Sequence, residues 1–359
     1  MKKEYIIPIF IPHLGCPYAC VFCNQAKITG VGKQVTPEEV RNIIEQYLSG
    51  FKEKEAKVEV AFFGGSFTAI DKEIQKNLLE AAYEYVKDGR IDSIRISTRP
   101  DYIDKETLKM LKKYKVKTIE LGVQSANNYI LQKAKRGHTF EDVKKASRLI
   151  RFYGFTLGHQ MMVGLPDSTE LDEINTAKAL IKLKPKIVRI YPVLVIKGTE
   201  LEREYNSGEY EPLSVVQAVE RSKKVAELFN KKKIKVIRIG LQNTDEITDP
   251  NNPNSEVVAG PYHPAFRQLV EASMWYDAIV SKIKQVNAKV KQVEIRANSE
   301  DINNIIGHKK ENIEKLKDIY EVDVSVKADD SIKDGKFEIK IIKTYDDIIE
   351  ENRERISKV

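Results

Sequence analysis

The chain has 359 residues, 42% of them hydrophobic and 31% charged, with a formal net charge of +7. That is enough apolar material for one large domain and a small one, and the mild basic excess permits contact with nucleic acid without requiring it. No apolar run approaches the roughly 20 residues of a membrane span, and with no signal peptide in a Lys-rich sequence the expectation is a cytoplasmic protein with no membrane partner.

From the N-terminus, short runs rich in Ile and Val alternate with longer segments of helical period, the pattern of strand–helix units repeated around a parallel sheet. The predicted strands are Tyr5–Ile11, Val58–Phe63, Ser93–Ser97, Thr118–Val123, Thr156–Val163 and Lys186–Val195. Each precedes a predicted helix: Thr36–Leu48, Lys72–Val86, Lys105–Lys113, Phe140–Phe152, Glu170–Leu183 and Val215–Phe229. Thr36-Pro37-Glu38-Glu39 has a cap, a proline at the first helical position and acids in the first turn, which together mark a helix start. Six units fall short of the eight of a closed barrel, so the expected fold is α/β, a partial (β/α)6 barrel or an open sheet. In either case the reactive groups belong in loops beyond the C-terminal ends of the strands.

Beyond Phe229 the pattern changes. Lys235–Ile239 is a candidate further strand, Asn243–Asn254 a polar loop, and Gly260–Pro264 leads into a long amphipathic helix ending near Ile283. From Lys291 a small α+β region follows: strand Val293–Ala297, helix Asp301–Ile306, tight loop Gly307–Lys310, helix Glu311–Ile319, then strands Asp323–Val326 and Lys336–Ile342. The expected domains are 1–230 for the core, 231–288 as a connecting region with a long helix, 289–345 for the α+β domain and 346–359 as a charged tail.

The unusual residues cluster in the loops after the strands. The three cysteines of the chain, Cys16, Cys20 and Cys23, follow the first strand within Gly15-Cys-Pro-Tyr-Ala-Cys-Val-Phe-Cys-Asn24. Three thiolates hold three corners of a four-iron cluster and leave one iron open to a ligand, a catalytic arrangement. A zinc site of the three cysteines with His13 would pack four ligands into eleven residues without a second knuckle, which is atypical, and an odd cysteine count disfavours disulfides. Gly64-Gly65-Ser66-Phe67-Thr68 follows the second strand, Thr98-Arg99-Pro100-Asp101 the third, Gln124-Ser125 the fourth and Gly164-Leu165-Pro166 the fifth.

At the cysteine triplet, the glycine pair and Glu120-Leu-Gly-Val-Gln-Ser125 the chain resembles the radical SAM superfamily. Within it, Ser97-Thr-Arg-Pro-Asp101, Arg136-Gly-His138, His159-Gln-Met-Met-Val-Gly-Leu-Pro166 and Ile187-Val-Arg-Ile-Tyr-Pro192 with Gly198-Thr199 resemble the radical SAM half of the elongator catalytic subunit, over about residues 4 to 215. The resemblance implies a 4Fe-4S cluster on Cys16, Cys20 and Cys23 with S-adenosylmethionine (SAM) chelating the open iron. It also implies reductive cleavage of SAM to a 5'-deoxyadenosyl radical and an external electron donor of flavodoxin or ferredoxin type. By the same resemblance Phe22 contacts the adenine, Gly64 and Gly65 let backbone approach the methionine ammonium, Thr98 and Gln124 reach the ribose, Gln160 lies on the strand that supplies another ribose contact, and Arg136 holds the carboxylate. Ser66 stands where the commoner form of the superfamily has glutamate, so no charge role falls to it. His138 and His159 read as core histidines, and Tyr191 with Pro192 as packing.

No acetyltransferase domain is expected. Instead Ile305-Ile-Gly-His-Lys-Lys-Glu-Asn-Ile313 resembles a KH domain, whose G-x-x-G loop clamps a nucleic acid backbone. Lys310 replaces the second glycine, and Gly307, Lys309 and Lys310 are the candidate nucleic-acid contacts. The leading functional expectation is a radical SAM enzyme acting on RNA, namely tRNA. The alternatives are an enzyme on a small metabolite with a structural C-terminal module, or a non-catalytic iron-sulfur RNA-binding protein.

Overall fold

The computed structural model describes residues 4–11, 20–24, 35–52, 55–242, 244, 247–286 and 289–357. They form two compact units, Met1–Pro264 and Ala265–Val359.

In chain order the first unit contains β1 (Glu4–Ile11), α1 (Pro37–Gly50), β2 (Lys57–Gly64), α2 (Lys72–Lys87), β3 (Ser93–Thr98), α3 (Lys105–Lys113), β4 (Val116–Gln124), α4 (Asn128–Lys133), α5 (Phe140–Phe152), β5 (Thr156–Val163), α6 (Glu170–Lys182), β6 (Ile187–Pro192), β7 (Val195–Ile196), α7 (Glu200–Asn206), α8 (Val215–Lys231), β8 (Lys235–Ile239) and β9 (Val257–Ala259). Polar caps set the starts of the crossover helices. Thr36, Thr139, Thr169 and Ser214 form reciprocal capping boxes, and the Asp71 and Asp104 side chains accept backbone N–H groups of the first turn. Each such cap stabilises its helix by about 1 kcal/mol.

Seven strands, ordered β1-β2-β3-β4-β5-β6-β8, make one sheet in which every neighbouring pair is parallel. Six gaps of ~4.8 Å would set the outer strands of a flat sheet roughly 29 Å apart. Instead Glu4 Oε2 on β1 lies 3.7 Å from Lys235 Nζ on β8. The sheet is therefore curled into a half-barrel that brings the N-terminal ends of its first and last strands within side-chain reach of each other. Alternation along β1 shows the two faces: Ile7, Ile9 and Ile11 are buried, whereas Ile6, Pro8 and Phe10 line a cavity.

The barrel thus has seven strands rather than the expected six, with Lys235–Ile239 completing it. The expected strand Lys186–Val195 is also broken. Pro192, which has no N–H to donate, ends β6, and Val195–Ile196 turns away to pair antiparallel with β9.

The second unit has α9 (Phe266–Lys284), β10 (Val290–Ala297), α10 (Ile302–Ile306), α11 (Glu311–Tyr320), β11 (Asp323–Ala328), β12 (Phe337–Thr344) and α12 (Tyr345–Ser357). Its sheet has the order β11-β10-β12, with β10 parallel to β11 and antiparallel to β12. Ile279, Val293, Ile295, Ile305, Leu316 and Val322 fill its core. The stretch 231–288 is not a unit of its own, since β8 and β9 belong to the first unit and α9 to the second.

Buried Asn312 joins three elements of this unit, its Nδ2 donating to Ala272 O at 2.9 Å and to Asn304 O and Ile305 O at 3.2 Å. Asn312→Ala strands those carbonyls and should cost about 1–3 kcal/mol, read as a lower urea midpoint at unchanged slope. A midpoint equal to wild type would show that the amide contributes nothing.

Candidate active site

The loops after the strands converge at the C-terminal edge of the half-barrel. Gly64 closes β2 with φ +92°, and a Cβ there would stand 2.6 Å from Ile11 O. Gly65 N donates to the same oxygen at 2.7 Å. The glycine pair thus fastens the end of β2 to the end of β1, where the chain leaves for the cysteine segment, and only glycine tolerates that approach. Cys20 is buried, Cys23 half-buried, and Cys23 N donates to Cys20 O at 3.0 Å. Cys16, like His13, lies outside the described residues.

A cavity of about 580 Å³ opens beside Cys23. Of the expected site residues, Phe22, Gly64, Gln124 and Gln160 line it together with Cys23; Gly65, Thr98 and Arg136 are not part of this lining. The Thr98 hydroxyl is engaged with Thr68 Oγ1 at 2.6 Å and Ser66 Oγ at 2.9 Å, and its neighbour Ser97 reaches the cavity instead. Ser66 acts as a neutral link, its Oγ also accepting Arg99 N at 3.0 Å.

Arg136 is buried against Cys20. Its Nη1 donates to Cys20 Sγ at 3.3 Å and its Nη2 to Gly122 O at 2.8 Å, while its buried Nε has no partner. Gln124 sits at φ +70° beside a break in the β4–β5 register, a left-handed conformation that costs a non-glycine residue roughly 1 kcal/mol. Its buried Oε1 is likewise unpartnered. An orphan donor and an orphan acceptor beside one cavity are what a polar ligand would satisfy. A zwitterionic, nucleoside-bearing molecule such as SAM fits that pair.

Beneath the cavity runs a row of charges that the sequence reading did not single out as site residues. Glu120, almost wholly buried, accepts from Arg189 Nε at 2.5 Å and from Arg95 Nη1 at 2.8 Å. Arg95 Nε also donates to Glu59 at 2.7 Å, giving a neutral quartet across β2, β3, β4 and β6. Burial opposes ionisation of Glu120, but the Arg189 and Arg95 guanidiniums outweigh it and hold the carboxyl below its usual range. Gly158 makes room on the intervening strand β5, where a Cβ would stand 2.8 Å from Glu120 Cγ. Gln160 Nε2 donates to Glu120 Oε2 at 3.3 Å and to Ser97 Oγ at 3.2 Å. Above the row, Arg189 lies over the Phe63 ring at 4.9 Å and, with Tyr191, faces the cavity. Tyr191 therefore forms part of the wall as well as packing. The signal for these residues was a charge at inward positions of otherwise apolar strands.

His159 is fully buried, with Nε2 2.9 Å from Ser147 Oγ, and burial pushes its pKa down to about 3. His138 is also pushed to about 3, first by burial and then by the Arg136 and Arg99 charges. Neither lines the cavity.

In the second unit Gly307 has φ +82°, and a Cβ there would meet Asn312 N at 2.9 Å, so the tight turn requires glycine. Lys309 and Lys310 follow in the left-handed region and are exposed.

The radical SAM superfamily model matches residues 10–180, and a Radical_SAM C-terminal domain model matches 185–276. An uncharacterized protein of Methanocaldococcus jannaschii is 32% identical over 237 residues, covering 61% of this chain and 70% of that protein. The tRNA uridine(34) acetyltransferase of the same organism is 34% identical over 184 residues, which is 46% of this chain and only 34% of that enzyme. Among solved structures, the archaeal Methanocaldococcus infernus Elp3 lacking its N-terminus superimposes with a TM-score of 0.57 at 24% identity, over 79% of this chain and 64% of that one, a likeness of fold.

Two outcomes follow from the packing. Gly158→Ala should cost about 1–3 kcal/mol, because the added methyl meets Glu120 and Ile187; a thermal midpoint equal to wild type would show the row is not confined there. The unfolded chain protonates His159 near pH 6.5 while the folded chain resists until about pH 3, so its contribution is full above 6.5 and lost as pH falls. The stability gap between wild type and His159→Gln should therefore narrow by about 1.4 kcal/mol per pH unit below 6.5. A gap constant between pH 7.5 and 5.5, read from urea midpoints, would contradict a neutral buried imidazole.

Proposed function

The chain belongs to the radical SAM superfamily, and from that premise we propose that it is a radical SAM enzyme that modifies RNA, with tRNA as substrate. The observation that carries the site is Arg136, one nitrogen of its guanidinium on Cys20 and another unpartnered, near a cavity that Gln124, whose side-chain oxygen is unpartnered, also lines. When bound, the 4Fe-4S cluster and SAM supply one-electron cleavage of the sulfonium and a 5'-deoxyadenosyl group that takes hydrogen from the substrate.

Cys16, Cys20 and Cys23 are assigned to the iron, leaving one position for SAM. Arg136 Nη1 donates to Cys20 Sγ, which fixes the guanidinium beside the cysteine, and Nε is left for the carboxylate of an incoming ligand. Gln124 and Gln160, with Ser97 between them in role, offer hydrogen bonds to a ribose. Phe22 packs against the apolar cluster around Val21 and Leu165 and offers its ring to the adenine. Gly64 leaves backbone exposed to the ammonium. The apolar wall of Pro8, Phe10, Phe63 and Met162 excludes water from the reacting atoms. The electron comes from an external donor of flavodoxin or ferredoxin type.

RNA as substrate rests on the relatives named for tRNA uridine(34), matched here over about a third of their length. The loop Gly307–Lys310 is assigned to phosphate contact, its two exposed lysines standing where the turn projects. Acetyl transfer is not part of the proposal.

The test is anaerobic: reconstitution with iron and sulfide, addition of dithionite and SAM, and quantification of 5'-deoxyadenosine with and without tRNA transcript. The expected result is formation stimulated by tRNA, abolished in Cys20→Ala, and reduced on the order of tenfold or more in Arg136→Lys. Formation indifferent to RNA would move the substrate to a small metabolite, and none from a fully loaded cluster would overturn the enzyme reading.

A further inference from the structure

The end of the half-barrel opposite the cavity carries a different chemistry. Because β4, β5, β6 and β8 are adjacent and parallel, the four turns that enter them lie along one edge. Their sequences are Leu111-Lys-Lys-Tyr-Lys-Val-Lys117, Arg151-Phe-Tyr-Gly-Phe155, Ile181-Lys-Leu-Lys-Pro-Lys186 and Asn230-Lys-Lys-Lys-Ile-Lys235. Together they hold twelve cations and no acid, more positive charge than the net +7 of the whole chain. The turns touch: Lys112 Nζ donates to Tyr153 O at 3.0 Å and Arg151 Nη1 to Leu183 O at 3.5 Å. Lys231 and Lys235 have acidic neighbours, Glu227 at 3.9 Å and Glu4 at 3.7 Å. Among the described residues none of Lys115, Lys117, Lys182, Lys184, Lys186, Lys232 and Lys233 makes an ion pair, and all are exposed.

Two features separate this rim from ordinary solvated lysines. Lys115, Lys184 and Lys233 occupy the same position in their turns, just past a helix end, with φ of 57°, 56° and 57°. Gly89 and Gly154 hold the corresponding place in the turns into β3 and β5. Glycine adopts that conformation without strain, so lysine there carries a conformational cost for its charge. A helix C-terminus favours a cation nearby, but one charge in the last turn satisfies it, and each of these turns has several. In the middle of the rim stands Phe152, 85% exposed.

A groove of about 380 Å³ leads away from the rim between α5 and α6, lined by Lys144, Arg148, Arg151 and Lys182. α5 runs from the cavity end to the rim, roughly 20 Å at 1.5 Å per residue. The groove therefore gives a charged backbone a track toward the end where the cavity opens.

We infer that this lysine rim and the α5–α6 groove bind an unpaired RNA segment, the lysines on its phosphates and Phe152 stacked on a base. An exposed ring among cations suits single strands, whose bases present their faces, and not a duplex, whose bases are stacked inward. The inference deepens the RNA reading proposed above but concerns a surface remote from the cysteines, so it is tested without cluster, SAM or reductant.

The experiment uses the full chain and fluorescence anisotropy with a labelled oligouridylate of about 12 nucleotides, titrated between about 50 and 200 mM salt. The variant Lys115→Gly/Lys184→Gly/Lys233→Gly removes three charges at positions where glycine relieves strain, so its fold should melt no lower than wild type. It should bind at least about tenfold more weakly near 100 mM salt, with a log–log salt slope about 2 smaller. Phe152→Ala should weaken binding about fivefold or more at every salt concentration and leave the slope unchanged. Wild-type binding that neither variant alters would overturn the surface while leaving RNA as substrate intact. A wild-type chain that does not bind the oligonucleotide would likewise overturn the surface, the tRNA reading being decided by deoxyadenosine formation, and binding to phosphatidylserine vesicles instead of the oligonucleotide would make the rim a lipid contact and refute it.

Discussion

A parallel half-barrel must fill its concave face, and here an ionic row supports that filling from beneath the cavity. The quartet of Glu59, Arg95, Glu120 and Arg189 joins four strands beneath the cavity. A buried carboxylate such as Glu120 would be prohibitively costly alone; two forked guanidiniums make it tolerable, and Gly158 gives it the space to reach the second of them. Much of the rest is set by this row. It fixes Arg189 over Phe63, leaves Tyr191 on the wall, and orients Gln160 through Glu120 and Ser97, so that the polar groups of the cavity stand on an electrically neutral floor. Replacing the row by apolar residues could hold the sheet together equally well, but it would not orient hydrogen-bonding groups.

The two ends of the half-barrel use unusual backbone for opposite purposes. At the C-terminal end Gly64 and the left-handed Gln124 bring backbone and an amide close to where a ligand would lie. At the N-terminal end the left-handed positions hold lysines, whose charge faces solvent. The first arrangement suits chemistry on a small, enclosed group; the second suits long-range attraction of a polyanion.

Much of this was legible in the sequence because it is carried by local signals. Thr36 announces a helix start by its cap, and the short runs of Ile and Val mark the strands. The seventh strand was visible only as a candidate, since Lys235–Ile239 is short and follows a turn of lysines that looks like any charged surface. The expected strand Lys186–Val195 ran through Pro192, which in fact ends β6, and the β7–β9 ribbon that follows is a long-range contact with no local signature. The same limit hid the charged floor. Arg95, Glu120 and Arg189 stand far apart in the chain, and only the register of the sheet makes them neighbours. Thr98 and Arg136 show the reverse: the family resemblance drew attention to them, while the packing sets Thr98 in a hydroxyl cluster and Arg136 against Cys20.

The central claim is that the cavity beside Cys20 and Cys23 receives SAM at the open iron of a cluster held by the three cysteines. Electron paramagnetic resonance of the anaerobically reconstituted, reduced protein, recorded before and after addition of SAM, tests it most directly. The account predicts the signal of a reduced four-iron cluster whose g values shift when SAM is added. A spectrum that SAM leaves unchanged, from protein with a full complement of iron, would contradict it.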